Sequence, residues 1–480
     1  MTRVNADFTP FAARMRAENL PDIVIRTFEY YYNQLVEGRT GLLPEADILP
    51  VEALPDTAQF GAELAEAGRA ALPQTILLKL NGGLGTGMGL ERAKSLLIAK
   101  DGLTFLDIIA RQALISGAPL VLMNSFNTRD DSLAVLARYK ELARFGLPLD
   151  FVQHKVPKIV QADLTPAVWP ADPDLEWCPP GHGDIYTALQ TSGMLDALLA
   201  HGYRYAFVSN ADNLGAVLEP AILGYFVTHR LPFLMEVADR TEADRKGGHL
   251  ARRRDGRLIL RESAQCPAED MPAFQDIGRH RYFNTNNLWL DLAALQALLR
   301  ARGGILGLPM IRNRKPLDPR DPSSPSVYQL ETAMGAAIEL FEGAGAVRVP
   351  RTRFAPVKTT DDLLAVRSDA YLLTEGFQVI PNPARQWPAP PVVCLDPRFY
   401  RLIDDLEARF PFGPPSLVAC ERLIVRGDVR FGRDVACCRA VEVINEADAQ
   451  AVIADGTTLC GVHRVPAGSE RRQSHHLNIE

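Results

Sequence analysis

The chain lacks features that would each indicate a different class of protein. It contains no run of about 18 apolar residues, so a membrane-spanning helix is not predicted. Charged residues occupy the start, where a signal peptide needs an apolar stretch. There is no long basic block, and 52 Lys and Arg against 58 Asp and Glu give a net charge of −6. This balance argues against nucleic acid or an anionic membrane as the main partner.

Paired CxxC spacing is also missing from the seven cysteines, so neither a zinc cluster nor a disulfide framework is predicted. Scattered thiols are typical of a reducing compartment, and we expect a cytoplasmic, unanchored protein. The chain has 480 residues, of which 47% are hydrophobic. That length suits about three domains of roughly 150 residues each.

Hydrophobic spacing divides the chain into three predicted regions. Residues 1–72 show helical spacing, as in Val24, Phe28, Tyr31 and Leu35, and indicate a small helical region. In residues 73–385 short apolar runs alternate with helical patterns, which predicts an α/β domain with a mixed, mostly parallel sheet. The candidate strands are Ile76–Leu80, Pro119–Met123, Tyr205–Ser209, Phe233–Val237 and Asn286–Leu290. Ligands of such sheets bind beyond the carboxyl ends of the strands.

Residues 386–480 comprise the end of a linker and a C-terminal domain with a different pattern. The linker, Pro381–Pro391, carries five prolines. Apolar or small residues recur beyond the linker at every sixth position: Leu423, Val429, Val435, Val441, Ala447, Ile453 and Leu459. Period six predicts a hexapeptide β-helix, and an irregular β-rich domain is the alternative. Exposed edge coils of such a tail would offer a surface for a homo-oligomer.

The segment with the most glycine begins where the first strand ends, at Leu80. It continues through Asn81 and has five glycines in the eight positions 82–89. Such a backbone can approach a ligand closely and turn its N–H groups toward a phosphate. The dinucleotide pattern GxGxxG fails in every register, and the Walker A pattern fails because Ala93 precedes Lys94. We therefore expect a phosphate loop of another kind, with a simple turning loop as the alternative.

A second loop, WCPPGHGD, places His182 between Gly181 and Gly183. Two prolines stiffen this loop, so that one imidazole is presented at a defined place. The imidazole could donate a hydrogen bond to a sugar hydroxyl or a phosphate, and a structural role is the alternative.

Polar residues follow another strand in the segment VSNADNLG. Asn210, Asp212 and Asn213 come directly after its apolar run. A carboxylate beside a phosphate loop suits Mg²⁺, which binds one or two carboxylates together with phosphate oxygens and water. We therefore predict that Asp212 binds the metal. An Asx turn or helix cap is the alternative, and it fits Asn213 better.

Amides and cations mark two further segments. FNTNNLW carries Asn284, Asn286 and Asn287, of which we expect two to reach a sugar ligand. VRVPRTRFAPVKTTDD carries Arg351, Arg353 and Lys358, a cationic patch that suits a polyphosphate. Solvated surface charge is the alternative for this patch.

At these motifs the chain resembles the eukaryotic-type UTP–glucose-1-phosphate uridylyltransferase family. Nine collinear segments carry the resemblance: LKLNGGLGTGMG…AKS, MNSFNT, FVQHKVPKI, CPPGHGDIY, FVSNADNLGA, MEVADRTEADRKGG, FNTNNLWL, YQLETAMGAAI and FAPVKTTDDLL. The resemblance implies a Rossmann-like, glycosyltransferase-A-like nucleotidyltransferase domain and a C-terminal left-handed β-helix. The departures from the family pattern are Gly87, Ala93 and His154-Lys155.

The resemblance also implies roles for individual residues. Lys94 and Lys358 are expected to be catalytic, and Asp212 to bind Mg²⁺. The nucleotide-binding residues would be Leu80, Asn81, Gly82, Gly83, Lys94, Gln153, Gly181, Asp212 and Lys358. The substrate-binding residues would be Gly82, Gly83, His182, Asn210, Asp212, Glu236, Gly248, Asn284 and Asn286. Gln153 would recognise uracil.

The implied reaction converts UTP and glucose 1-phosphate to UDP-glucose and pyrophosphate by Mg²⁺-dependent in-line attack on the α-phosphate. A UDP-sugar pyrophosphorylase with broader or different sugar specificity is one alternative. A catalytically silent nucleotide-binding or assembly protein is another.

Overall fold

Three helices form most of the N-terminal segment in the computed structural model, which describes residues 7–387 and 389–465. They are α1 (Thr9–Ala17), α2 (Asp22–Val36) and α3 (Ala62–Ala71). The apolar spacing seen in the sequence is the buried face of α2, since Val24, Phe28, Tyr31 and Leu35 are all buried. No helix in the described ranges is long and apolar enough to cross a membrane.

Strands alternate with helices through the central part of the chain. The strands are β1 (Ile48–Pro50), β2 (Thr75–Asn81), β3 (Ile98–Lys100), β4 (Leu103–Thr104), β5 (Leu120–Asn124), β6 (Asp150–Val152), β7 (Val156–Pro157), β8 (Ile159–Val160), β9 (Trp177–Cys178), β10 (Tyr205–Asn210), β11 (Phe233–Asp239), β12 (His249–Arg253), β13 (Leu258–Arg261), β14 (Tyr282–Asp291), β15 (Met310–Pro316), β16 (Ser326–Thr332), β17 (Gly345–Arg348), β18 (Tyr371–Leu373) and β19 (Val379–Pro381). The helices are α4 (Phe105–Ser116), α5 (Arg129–Leu136), α6 (Ile185–Thr191), α7 (Met194–Ala200), α8 (Pro220–Thr228), α9 (Met271–Phe274), α10 (Leu292–Ala301) and α11 (Thr360–Arg367).

Ten of these strands form one mixed sheet, with the main order β1-β12-β14-β10-β2-β5-β6. The strands β10, β2, β5 and β6 run parallel, whereas β14 is antiparallel to β10 and β11. The α/β class with a mixed central sheet is therefore confirmed. All five candidate strands are present: four are longer than predicted, and the strand predicted at Pro119–Met123 is shifted by one residue to Leu120–Asn124.

Both faces of the central sheet are covered by apolar residues. Leu77 and Phe207 face one buried cluster, and their neighbours Ile76 and Val208 face another. Burial on both sides explains why these strands read as continuous apolar runs instead of alternating ones.

Register brings the ends of the parallel strands to one edge. Leu80 of β2 lies opposite Asn210 of β10 on one side and Met123 of β5 on the other. The glycine-rich loop and the Asp212 segment therefore begin side by side, at the edge where ligands of α/β sheets bind.

The C-terminal part consists of two short helices and stacked parallel strands. These are α12 (Pro397–Tyr400), α13 (Ile403–Arg409), β20 (Val392–Leu395), β21 (Cys420–Arg426), β22 (Val429–Phe431), β23 (Ala436–Ile444), β24 (Ala451–Ile453) and β25 (Thr458–Arg464). The ladder β20-β21-β23-β25 is parallel, as is the pair β22-β24.

The six-residue period matches the buried positions of these coils, with one exception. Leu423, Val429, Val435, Val441, Ile453 and Leu459 are buried, but Ala447 is exposed. Asn445 is buried near that turn, and its Nδ2 donates to the carbonyl oxygens of Asp428 (2.6 Å) and Ala449 (2.9 Å). The Asn445 side-chain amide stabilises a turn, and the residues that follow it are exposed to solvent. The six-residue period of buried positions is therefore interrupted at Ala447.

A disulfide joins Cys438 on β23 to Cys460 on β25, which cysteine spacing did not predict. The two residues are register partners on adjacent parallel strands, with Cα atoms 5.1 Å apart. That separation lies within the range that a disulfide needs. The pairing depends on the register of the coils and leaves no local signal in the sequence.

The C-terminal part rests directly on the central part. The Thr360 hydroxyl donates to the carbonyl oxygen of Tyr400 at 2.6 Å. A methyl group added at Gly89, in the glycine-rich loop, would lie 3.1 Å from Leu402 Cδ2. One apolar cluster continues from the central sheet through α11 into the coils.

Helices α3 and α8 pack so closely that glycine is required at their contact. A methyl group added at Gly224 of α8 would clash with the carbonyl oxygen of Leu64 on α3. We expect Gly224→Ala to destabilise the protein by about 1–3 kcal/mol because the helices must separate. Thermal unfolding of the variant would show a lower midpoint.

The matched control for this change is Gly61→Ala. Gly61 precedes α3, and a methyl group added there would enter open space. Equal midpoints for the two variants would contradict the close helix contact.

Candidate active site

A cavity of about 300 Å³ opens at the carboxyl ends of the parallel strands. The predicted residues that line it are Leu80, Asn81, Gly82, Gly83, Lys94, Gln153, Gly181, His182, Asn210 and Asp212. Four further lining residues did not stand out in the sequence: Ser95, Met123, Pro179 and Ala211. Sequence segments more than a hundred residues apart thus form one site.

Gln153 and Gly82 lie close together in the wall of the cavity. A methyl group at Gly82 would lie 2.9 Å from both the nitrogen and the oxygen of the Gln153 amide. The Gln153 backbone N–H donates to the carbonyl oxygen of Asn124 at 2.8 Å, and Ser125 Oγ donates to the carbonyl oxygen of Gly82 at 3.0 Å. These hydrogen bonds fix the main chain of Gln153 and Gly82, and the Gln153 side-chain amide offers a donor and an acceptor, as a nucleobase edge requires.

Asn81 contributes its backbone to this loop, because its side chain is engaged elsewhere. Asn81 Nδ2 donates to Asn124 Oδ1 at 2.7 Å and to Ser132 Oγ at 2.8 Å, and the residue is buried. This network ties the start of the glycine-rich loop to β5 and α5.

Lys94 and Asp212 meet across the cavity. Lys94 Nζ donates to Asp212 Oδ2 at 2.6 Å, although the residues are 118 positions apart. The backbone N–H of Val357 donates to the Asp212 carbonyl oxygen at 3.1 Å, which brings the neighbouring Lys358 segment to the same place.

The other carboxylate oxygen of Asp212 fits a metal ligand. Asp212 Oδ1 is buried and has no hydrogen-bond partner. A carboxylate oxygen of this kind is what Mg²⁺ prefers in proteins. Among the described residues, no group of three or more His, Cys, Asp or Glu side chains could hold a metal ion. A cation at Asp212 would therefore need most of its oxygen ligands from bound phosphate and water.

His182 presents a neutral imidazole to the cavity. The Met334 backbone N–H donates to His182 Nδ1 at 3.0 Å. Burial lowers the pKa of His182 to about 4. The ring is therefore neutral at pH 7, and because Nδ1 accepts, Nε2 carries the proton and can donate to a ligand. Gly181 has φ +81°, and a side chain there would clash with the Thr332 backbone.

A second polar group contains three more predicted residues: Gly248, Asn284 and Asn286. The Asn284 backbone N–H donates to the Gly248 carbonyl oxygen at 3.1 Å, and Asn284 Nδ2 donates to Asn286 Oδ1 at 2.8 Å. Asn286 has φ +58° where the pairing of β11 with β14 shifts register. Such a bulge redirects side chains, and here it puts both amides on one side.

This group is continuous with the cavity through the segment that contacts His182. Gly335 follows Met334, and a methyl group at Gly335 would lie 3.3 Å from Asn284 Nδ2. None of Gly248, Asn284, Asn286 and Lys358 lines the cavity itself. The structure therefore separates the predicted residues into two adjoining groups.

Glu262 belongs to the second group, although nothing in the sequence singled it out. A methyl group at Gly248 would lie 2.5 Å from Glu262 Oε2. Burial raises the pKa of Glu262, and the positive charge of Lys358 opposes that rise. A carboxylate, two amides and an ammonium group thus share one polar region. Only the fold reveals this, because Glu262 lies outside the polar motifs.

Glu236 does not join either group. Its side chain is fully buried, and its carboxylate accepts two hydrogen bonds of 2.7 Å from Arg353 and one of 2.9 Å from Trp289 Nε1. It has no exposed oxygen for a sugar.

The predicted cationic patch does not form as a whole. Arg353 is buried with Glu236, and Arg351 pairs with Asp244 at 2.7 Å. Of the three predicted cations, only Lys358 remains for a phosphate ligand.

A family sequence model, similar sequences and solved structures all indicate the same family for this chain. The sequence model of the family described as UTP–glucose-1-phosphate uridylyltransferase matches residues 25–437. The chain is 40% identical over 420 residues to the UTP–glucose-1-phosphate uridylyltransferase of Solanum tuberosum, covering 86% of this chain and 84% of the relative. It is 38% identical to the Saccharomyces cerevisiae enzyme of that name, covering 90% and 86%.

Solved structures agree over nearly the whole chain. A variant of the UDP-glucose pyrophosphorylase from Leishmania major, in complex with UDP-glucose, is 44% identical with a TM-score of 0.89, covering 96% of this chain and 99% of that one. A Trypanosoma brucei structure titled UDP-glucose phosphorylase is 45% identical with a TM-score of 0.86, covering 95% and 99%. With this agreement of sequence, fold and site, the chain belongs to the UTP–glucose-1-phosphate uridylyltransferase family.

Proposed function

We propose that this protein converts UTP and glucose 1-phosphate to UDP-glucose and pyrophosphate. The observation that carries the proposal is the set of groups that the fold brings together. The Gln153 amide, the Lys94–Asp212 pair and His182 line one cavity, and the amide and carboxylate group around Gly248 adjoins it. A nucleobase, a phosphate chain and a sugar suit these groups. The names of the relatives support the same reaction.

UTP would lie on the glycine-rich loop. The Gln153 amide would bind uracil, while the backbone of Leu80, Asn81, Gly82 and Gly83 would approach the nucleotide and its phosphates. The phosphates of UTP would compete with the Asp212 carboxylate for the Lys94 ammonium group. When the substrate is bound, Lys94 would therefore contact both the phosphates and Asp212.

Glucose 1-phosphate would bind between His182 and the second polar group. His182 Nε2–H would donate to it. Asn284, Asn286 and Glu262 would contact sugar hydroxyls, which need both donors and acceptors. Asn210, at the end of β10, would bind near the point where nucleotide and sugar phosphate meet.

The chemical step needs no protein nucleophile, because the phosphate oxygen of glucose 1-phosphate is already anionic. That oxygen would attack the α-phosphorus of UTP in line, forming one P–O bond as the bond to the pyrophosphate leaving group breaks. Lys94 and Lys358 would stabilise the negative charge that develops, and the two loops would orient the reactants.

Mg²⁺ is the metal that we propose for this site. Asp212 would hold it through Oδ1, the buried oxygen that has no other partner. When bound, Mg²⁺ would neutralise charge on the phosphate oxygens of UTP.

Further proposals concern the organisation of the chain. We propose domain boundaries at residues 1–72, 73–385 and 386–480, and a left-handed β-helix as the architecture of the C-terminal coils. Parallel pairing and inward-facing residues near six-residue spacing support the β-helix. Cytoplasmic location and a homo-oligomer formed through the C-terminal domain are also proposals.

A direct assay tests the function. Purified protein, UTP and MgCl₂ would be incubated with glucose, galactose or N-acetylglucosamine 1-phosphate, and pyrophosphate and UDP-sugar would be measured. We expect release with glucose 1-phosphate, higher than with the other two, and loss of activity with EDTA.

Lys358→Ala controls for contaminating activity in this assay. We expect its kcat to fall by about 100-fold, because one charge that stabilises the transition state is lost. Absence of pyrophosphate release with all three sugars would overturn the enzyme assignment, and preferential use of another sugar would overturn the glucose assignment.

Gly82→Ala should block the base end of the site. The new methyl group would lie against the Gln153 amide, and a shift of that amide should raise the KM for UTP by about tenfold or more. Gly87→Ala, in the same loop, places its methyl group in open space. Comparable UTP KM values for the two variants would argue against the proposed base contact.

His182 should show its ionisation well below neutral pH. Because burial lowers its pKa to about 4, the ring stays neutral from pH 5 to 8 and protonates only as the pH falls further. The pH profile of kcat/KM for glucose 1-phosphate should therefore show no loss near pH 6.5 that is due to His182. An ionisation near 6.5 that disappears in His182→Asn would contradict this assignment.

A further inference from the structure

A buried lysine lies directly behind the cavity. Lys79 is on β2, one residue before Leu80, and its side chain is fully buried. Its Nζ donates to Ser209 Oγ at 2.7 Å and to the Ala216 carbonyl oxygen at 2.9 Å. None of the proposed steps uses this amino group.

The two acceptors mark the ends of the segment that carries the phosphate-side residues. Ser209 is the penultimate residue of β10, Asn210 is its last residue, and Ala216 follows Asp212 in the loop after the strand. The Lys79 side chain therefore holds both ends of residues 209–216 against β2. Asp212 lies near the middle of this segment.

Burial of a lysine is unfavourable unless its hydrogen bonds compensate. Burial lowers the pKa of Lys79 to about 7; Arg353 lowers it as well, while Asp212 and Glu236 raise it. An ammonium group and a neutral amine can each donate two hydrogen bonds. The contact to Ser209 and Ala216 is thus available in either protonation state.

We propose that Lys79 is a positioning residue that fixes the 209–216 segment so that Asp212 can bind the cation that accompanies the nucleotide. This inference rests on the proposed function. It separates two contributions to nucleotide binding. The glycine-rich loop and Gln153 bind UTP itself, whereas Lys79 acts through Asp212 on the cation-dependent part of the affinity.

Calorimetric titration of UTP tests this separation in the absence of any sugar phosphate. Each protein would be titrated once with EDTA and once with MgCl₂. Lys79→Met replaces the amino group by an apolar side chain of similar length. We expect an unchanged Kd in EDTA, within about twofold, and an approximately tenfold smaller gain in affinity from MgCl₂, because two hydrogen bonds to the segment are lost.

A second variant tests the same contact. Ser209→Ala removes one of the two acceptors and should reduce the gain in UTP affinity from MgCl₂ by about threefold, which keeps the inference testable if Lys79→Met does not fold.

Lys158→Met is the matched control. Lys158 is another buried lysine, and it donates to the Leu317 carbonyl oxygen at 3.1 Å, outside the site. It should keep the wild-type gain.

The outcomes distinguish this inference from the proposed function. A wild-type protein that does not bind UTP would overturn both. A wild-type gain with MgCl₂ that Lys79→Met and Ser209→Ala retain in full would overturn the role of Lys79 alone. An equal loss in Lys158→Met would show a general effect of losing a buried lysine and would also overturn the role.

Discussion

The site depends on the parallel pairing of β2 with β5 and β10. This register sets Leu80 level with Met123 and Asn210, so that three loops leave the sheet at one height. Lys94 and Asp212 can then form an ion pair across 118 residues of sequence. A shift of one residue in the register of either pair would turn every side chain of the shifted strand to the opposite face and separate these loops. The chemistry of the site is thus a consequence of strand register.

Buried polar groups of this protein fall into two kinds, those that pair with each other in the core and those left without a partner beside the cavity. Glu236 and Arg353 neutralise each other in the core, with further donors that complete the carboxylate. Asp212 Oδ1 and Ser95 Oγ, in contrast, are buried beside the cavity without a partner. Buried polar atoms are nearly always hydrogen-bonded, so an exception at a cavity marks a place where a ligand completes the network.

The sequence was sufficient to predict those strands and loops whose signals are local. The five main strands are continuous apolar runs, and the glycine-rich loop and Asp212 directly follow such runs. It failed where a residue's role depends on a distant partner. Glu236 is placed in the core by an arginine 117 positions away, and Glu262 reaches Gly248 only through the fold. The exposed Ala447 likewise depends on a turn held by Asn445.

The contact of the C-terminal part with the catalytic part has an evolutionary consequence. Leu402 lies against Gly89 of the glycine-rich loop, the Tyr400 carbonyl oxygen accepts from Thr360 two residues after Lys358, and one apolar cluster crosses the junction. At this junction each part has apolar residues that the other part covers. Exchange of the tail between relatives by recombination would therefore bring mismatched side chains to the glycine-rich loop and the Lys358 segment. Substitutions on one side of this junction therefore limit which residues the other side can accept.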